Sequence, residues 1–236
     1  MGNVPSYVSI TFILTTFAAI GFLLRAIRRA GLGTFPSGLL VFLLPLWIFL
    51  QAIASLGGIY SDSDSIPPLL FLLGVCPAIA LIGVYFIFFR SSFIERLPLQ
   101  TLTLVHIVRI PAEVVILWLF YAGFLPQMMT FEGRNFDIIA GLLSPVVYWI
   151  SFRGEKLRRG VLFAYNVFGL LLLANVVSIA ALSLPSPLQS LNVDQPNRAV
   201  LYFPYVWLPT IVVPIALFSH LASLWKLYRE RMSPSV

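Results

Sequence analysis

One apolar stretch carries groups that could do chemistry. Thr101–Tyr121, TLTLVHIVRIPAEVVILWLFY, is long enough to cross a bilayer yet contains His106, Arg109 and Glu113. At about 100° per residue, Arg109 lies about 60° and Glu113 about 20° to one side of His106, so all three share a narrow helix face. An ionisable group at a bilayer centre costs roughly 2.5–3.5 kcal/mol on insertion scales, so such groups face a protein interior or a wet cavity. Arg109 and Glu113 are i,i+4 neighbours and can pair directly. Three chemistries follow from this set. Glu113 can exchange a proton or ion while Arg109 holds an anion, as in a transporter. His106 and Glu113 can act as acid and base on a lipid or isoprenoid substrate whose headgroup Arg109 holds. Or the charges form a neutral pair that only fixes helix packing, a weak source of stability by itself.

A second group lies downstream. Glu132, Arg134 and Asp137, in FEGRNFD, crowd the start of a segment with only fifteen mostly apolar residues, Ile138 to Phe152, interrupted by Pro145. That is about 22 Å of helix against a hydrocarbon core of ~30 Å. Short or broken helices are the best sequence pointer to a transporter site. These three charges are therefore expected to line its outer mouth, with Asn135 capping the helix. Asn166 and His220 lie at about the depth of His106 in their own segments, so His106, Asn166 and His220 converge if those helices meet. Gln51, Thr11, Thr15, Thr16, Asn175 and Ser178 are expected to form interhelical hydrogen bonds.

The elements that position these residues are all helical. The 236 residues are 59% hydrophobic and 10% charged, with a mean hydropathy of +0.95. A soluble domain carries about 25% charged residues. Long apolar runs recur, near the ~20 residues a crossing needs. The chain is read as an all-α polytopic integral membrane protein, one domain over 1–236. Its seven transmembrane helices are placed at about 5–25, 37–58, 67–89, 99–122, 136–152, 160–184 and 203–225. Met1 to Ser6 lacks the basic start of a signal peptide, so the first run is read as a retained helix.

Charge alternates between the loops. Twelve of the fifteen Lys and Arg residues follow the first, third, fifth and seventh segments, the last three of these loops also holding Glu95, Glu155 and Glu230. Arg134 and Arg198 fall in the other loops, and Arg109 lies inside a segment. By the positive-inside rule the amino terminus is outside and the carboxyl terminus cytoplasmic. The formal charge of +6 is thus explained by topology, and no nucleic acid partner is expected. The expected partners are the lipid bilayer and an anionic small molecule or lipid. Prolines fall inside several segments, where neighbours must satisfy the carbonyls they free. The tryptophans Trp47, Trp118, Trp149, Trp207 and Trp225 are expected to anchor helices at headgroup depth.

Several chemistries are set aside. Two histidines and one cysteine make a thin supply for a zinc site, so no metal and no cofactor is expected. Cys76 has no partner for an intramolecular disulfide. Seven-helix hydrolases of the ceramidase and adiponectin-receptor type use three histidines. A rhomboid-like Gly-x-Ser-Gly, a Cys-x-x-Cys and a lysine within the seventh segment are all missing. A haem held by the two histidines has only their number in its favour.

The blocks VHIVRIPAEVVILWLF and MTFEGRNFDIIAGL resemble segments of uncharacterised multipass bacterial membrane proteins, which implies a bacterial plasma (inner) membrane and no activity. Crossing number and orientation are also similar to the SWEET sugar transporters. The chain lacks the proline pattern expected in segments one and six, and its linker-equivalent fourth helix is its most polar, so that assignment is not adopted. The reading favoured is a small transporter or permease with a buried His-Arg-Glu site on the fourth helix, with an intramembrane enzyme and a non-catalytic subunit or sensor as alternatives. Oligomeric state is left open.

Overall fold

The computed structural model describes residues 4–62, 64–154 and 156–232, with side chains described through Arg229. Met1 to Asn3, Glu155 and the side chains of Glu230 and Arg231, which figure in the charge and leader arguments above, lie outside that set. The long helices are α1 (Ser6–Ala30), α2 (Phe35–Leu56), α3 (Phe71–Phe88), α4 (Leu99–Tyr121), α5 (Asp137–Phe152), α6 (Arg159–Leu182) and α7, a π turn at Leu208–Val212 continued by Val213–Met232. Among the described residues there is no strand. Six of these helices are long and apolar enough to cross a membrane, and α5, at 16 residues, is the shorter seventh. The long loop after α6 holds only a single turn of 3-10 helix, Ala199–Leu201.

Helix α4 sits at the centre. It packs on α1, α5 and α7, while α6 packs on α5 and α7. In its most apolar stretch α4 is 61% buried, against 11% for α2 and for α3. Those two peripheral helices expose Phe42, Phe49, Leu56, Ile87 and Phe88. A surface so uniformly apolar suits lipid rather than water.

Proline shapes the contacts between the periphery and the core. Pro77 has no N–H for the carbonyl of Leu73, and Pro214 has none for that of Thr210. Both freed carbonyls are taken by α2: Gln51 Nε2 donates to Leu73 O (3.2 Å) and Trp47 Nε1 to Thr210 O (3.0 Å). Trp207 Nε1 in turn donates to Ile48 O (3.2 Å). Trp47 and Trp207 therefore staple helices together. Gln51 also accepts from Tyr60 Oη (2.7 Å), and burial raises the Tyr60 pKa above its ordinary value against the opposing effect of that bond. Thr15, Thr16 and Ser178 bond to carbonyls four residues back in their own helices, correcting the expectation of interhelical bonds, because a hydroxyl on a helix reaches its own preceding turn most readily.

The basic loops gather at one end. Lys226 donates to the carbonyls of Glu95 and Leu97, Arg229 pairs with Glu95, and Arg90 lies over the Trp225 ring at 5.6 Å. At the opposite end the loop after α6 docks on the loop after α4, with Arg198 N–H donating to Phe124 O (3.1 Å) and Gln195 Nε2 to Leu125 O (2.6 Å).

Candidate functional site

The site is built on an irregularity in α4. Pro111 cannot donate to the carbonyl of Ile107, and the helix tightens just before it into a 3-10 turn at Val105–Val108. In a 3-10 helix residues i and i+3 eclipse. His106 is thereby brought nearly into line with Arg109, closer than the regular spacing predicts, and all three of His106, Arg109 and Glu113 are buried.

Arg109 pairs across to α5, Nη1 to Asp137 Oδ1 at 3.0 Å, with both side chains at least nine-tenths buried. Glu113 instead accepts from Asn135 Nδ2 (2.6 Å), which also donates to Met129 O (2.8 Å). Asn135 Oδ1 then accepts the backbone N–H of Asp137 at 3.0 Å. The direct Arg109–Glu113 pair expected from i,i+4 spacing is thus replaced by a chain, Glu113–Asn135–Asp137–Arg109. The cause is the loop after α4, which folds back onto the helix. Gly133 permits this, since a Cβ there would fall closer than 3.0 Å to the backbone of Gln127 and Met128. The cap position of α5 is Phe136 and not the expected Asn135, whose side chain instead clamps the start of α5 to the middle of α4.

The other predicted residues divide. His106 and His220 stack face to face, with ring centroids 3.7 Å apart and planes at 13°. Asn166 Nδ2 donates to Leu162 O, so its Oδ1 faces His220 Nδ1 at 2.8 Å, and Nδ1–H is the donor. His106, Asn166 and His220 therefore do meet, with Tyr165 beside both imidazoles at 5.9 Å. Both nitrogens of His106 and Nε2 of His220 are buried without partners. Parallel stacked rings direct their lone pairs side by side rather than towards a common point, which does not suit a shared metal or a sandwiched haem. Gly169 separates the histidines from the charged chain: its carbonyl accepts from Arg109 Nη1 (3.5 Å), and His220 lies where its Cβ would be.

Glu132 and Arg134 stand apart. Both are exposed, with Glu132 accepting from Tyr121 Oη at 3.0 Å and the Arg134 carbonyl accepting from Asn175 (2.8 Å). Only Asp137 of the three joins the buried cluster.

Arg109, Glu113 and Asp137 open onto a cleft of about 100 Å³ between α3, α4, α6 and α7. Its walls are otherwise apolar, Phe71 and Met129 among them, except for Asn197 in the loop after α6. Arg109 Nε and Nη2 and Asn197 Oδ1 are buried without partners. The histidine stack is not part of the cleft wall. Asn135, Gly169 and Asn197 are the residues that the sequence did not single out for the site. FEGRNFD marked the neighbourhood of Asn135, and no signal marked the other two.

The chain belongs to the family described as a domain of unknown function, DUF8737, whose model matches residues 66–228. That span runs from before α3 to residue 228 in the last turns of α7 and so contains the whole buried cluster. No curated protein and no solved structure matches the chain.

Proposed function

We propose that the protein is a small membrane carrier, a permease that binds an anion at Arg109 and couples its movement to a proton on Glu113. The observation that carries this reading is the half-used guanidinium of Arg109. Nη1 is paired with Asp137, while Nε and Nη2 are unpartnered in a residue only 3% exposed that lines a cleft. Buried polar groups are nearly always hydrogen-bonded, so an unpartnered charged donor beside a cleft suits an anion. Charge accounting supports the coupling. Two carboxylates share one guanidinium; Asp137 holds the ion pair, and Glu113 is held by the neutral amide of Asn135. Glu113 is thus the carboxylate free to carry a proton, and an incoming anion at Arg109 favours that proton.

In this reading seven helices cross a bacterial plasma membrane, the short α5 among them, with the amino terminus outside and the basic loops in the cytoplasm. The clustering of those loops at one end supports it. The intramembrane enzyme draws less support, because His106 lies outside the cleft that Glu113 lines.

Purified protein in sealed proteoliposomes, loaded with a pH-sensitive dye, tests the proposal. A panel of organic and inorganic anions is applied as gradients. At least one is expected to drive proton movement, and Glu113→Gln is expected to abolish that coupling. A protein that moves no proton with any anion, or a Glu113→Gln variant that couples normally, would overturn it.

A further inference from the structure

We infer that the ligand of this cleft is a single-chain lipid anion, its head on the free edge of Arg109 and its chain laid along α6. The inference rests on the carrier reading and adds its substrate class. Nε and Nη2 form the side-on edge of a guanidinium, the pair that meets a carboxylate or phosphate with two parallel hydrogen bonds. In Arg109 this edge is the unpartnered one.

The rest of the cleft suits a chain. Its α6 wall is one helical stripe, Leu173, Val176, Val177, Ala180 and Ala181, followed by Leu184 just past the helix end, with the i, i+3, i+4, i+7 spacing of a single face. Hydrogen bonds to α6 fix the span between Arg109 and Asn197, which begins one turn before that wall. Arg109 Nη1 reaches Gly169 O at one end, and Asn197 Nδ2 donates to Ala180 O (3.2 Å) at the other. Eleven residues of helix separate them, about 16 Å. A cleft of only about 100 Å³ along this wall is narrow, which suits one chain rather than two. At the far end, Asn197 Oδ1 is a second unpartnered atom, an acceptor. Beside the slot, Leu72 and Leu73 of α3 and Val177 of α6 are exposed and apolar, so the approach suits a ligand arriving from the hydrocarbon. A small hydrophilic anion would meet Arg109 but leave the aliphatic wall unused.

Full-length protein in nanodiscs of zwitterionic lipid is tested by equilibrium binding of radiolabelled dodecanoate and dodecyl phosphate. Acetate, inorganic phosphate and dodecyltrimethylammonium serve as competitors. Saturable binding of at least one dodecyl anion is expected, and whether the carboxylate or the phosphate binds tighter names the head. Arg109→Ala is expected to weaken it at least tenfold. Ala180→Phe, which fills the slot away from the charges, is expected to do the same with thermal stability retained, so the result stands even where Arg109→Ala fails to fold. Acetate or phosphate competing as well as the dodecyl anions would overturn the lipid class while leaving the anion site and the carrier intact. Equal competition by dodecyltrimethylammonium would overturn the anionic head. Binding of no anion of either kind would overturn the inference and the carrier reading together.

Discussion

Arg109 reaches Asp137, 28 residues away in sequence, at 3.0 Å, although Glu113 lies one turn along its own helix. The consequence is mechanical as well as electrostatic. The pair bolts α5 to α4 at the level where the cleft begins, and it leaves Glu113 with a neutral partner. Removing one member of a buried ion pair strands the other charge, so Arg109→Ala and Asp137→Ala should each destabilise by about 3–5 kcal/mol. The double replacement Arg109→Met with Asp137→Leu removes both charges and should recover most of that loss while abolishing anion binding. Denaturation in mixed micelles measures the first effect, and ligand binding the second.

Glu113 offers a cleaner separation of charge from structure. A glutamine can still accept from Asn135 through its carbonyl oxygen, so Glu113→Gln should keep stability within about 1 kcal/mol of wild type, whereas Glu113→Ala strips a buried donor of one partner and should cost about 1–3 kcal/mol. Thermal melts of the two variants side by side check this.

Gly169 has no room for a side chain. A Cβ there would lie within the van der Waals envelope of His220, so Gly169→Ala should destabilise by about 1–3 kcal/mol through overpacking. His220→Ala in the same chain should relieve most of the clash, and the stability of the double variant against each single one is the measurement.

The α2 staples give a prediction about proline. Trp47→Phe leaves the Thr210 carbonyl without a donor and should cost about 1–3 kcal/mol. Pro214→Ala restores the missing backbone N–H, so the combination should be more stable than Trp47→Phe alone. A thermal shift series over the three variants tests it.

Topology is open to direct chemistry. In a Cys76→Ser background, Ser190→Cys and Lys156→Cys place thiols on exposed loops at opposite ends of the bundle. In intact cells an impermeant maleimide should label Ser190→Cys alone, and Lys156→Cys only after permeabilisation. The reverse pattern would invert the proposed orientation.

The helices were legible in the sequence because hydropathy and length suffice to find them: the predicted 37–58 and 160–184 are observed as Phe35–Leu56 and Arg159–Leu182. Boundaries moved where local chemistry intervened. Helix α1 runs on to Ala30, past the basic residues taken as its end, and α7 begins at Leu208, not near residue 203, after the turn that holds Pro204. His106, Arg109 and Glu113 stood out because charge inside an apolar run is conspicuous. Their partners did not, since the Arg109–Asp137 pair depends on how a loop folds back onto α4, and periodicity carries no information about that. Asn197 was invisible for the same reason. It lies in a proline-rich loop where nothing marks one polar residue from the next, and only the fold carries it to the cleft.

Everything proposed above turns on Arg109 serving a ligand and not merely a helix contact. Native mass spectrometry of protein extracted gently from its own membrane tests that most directly. One anionic small molecule per chain is expected on the wild-type protein, lost in Arg109→Ala and in the Arg109→Met, Asp137→Leu double variant. A wild-type protein that flies bare, together with a double variant that keeps full stability and full transport, would contradict it and reduce the buried charges to a packing device.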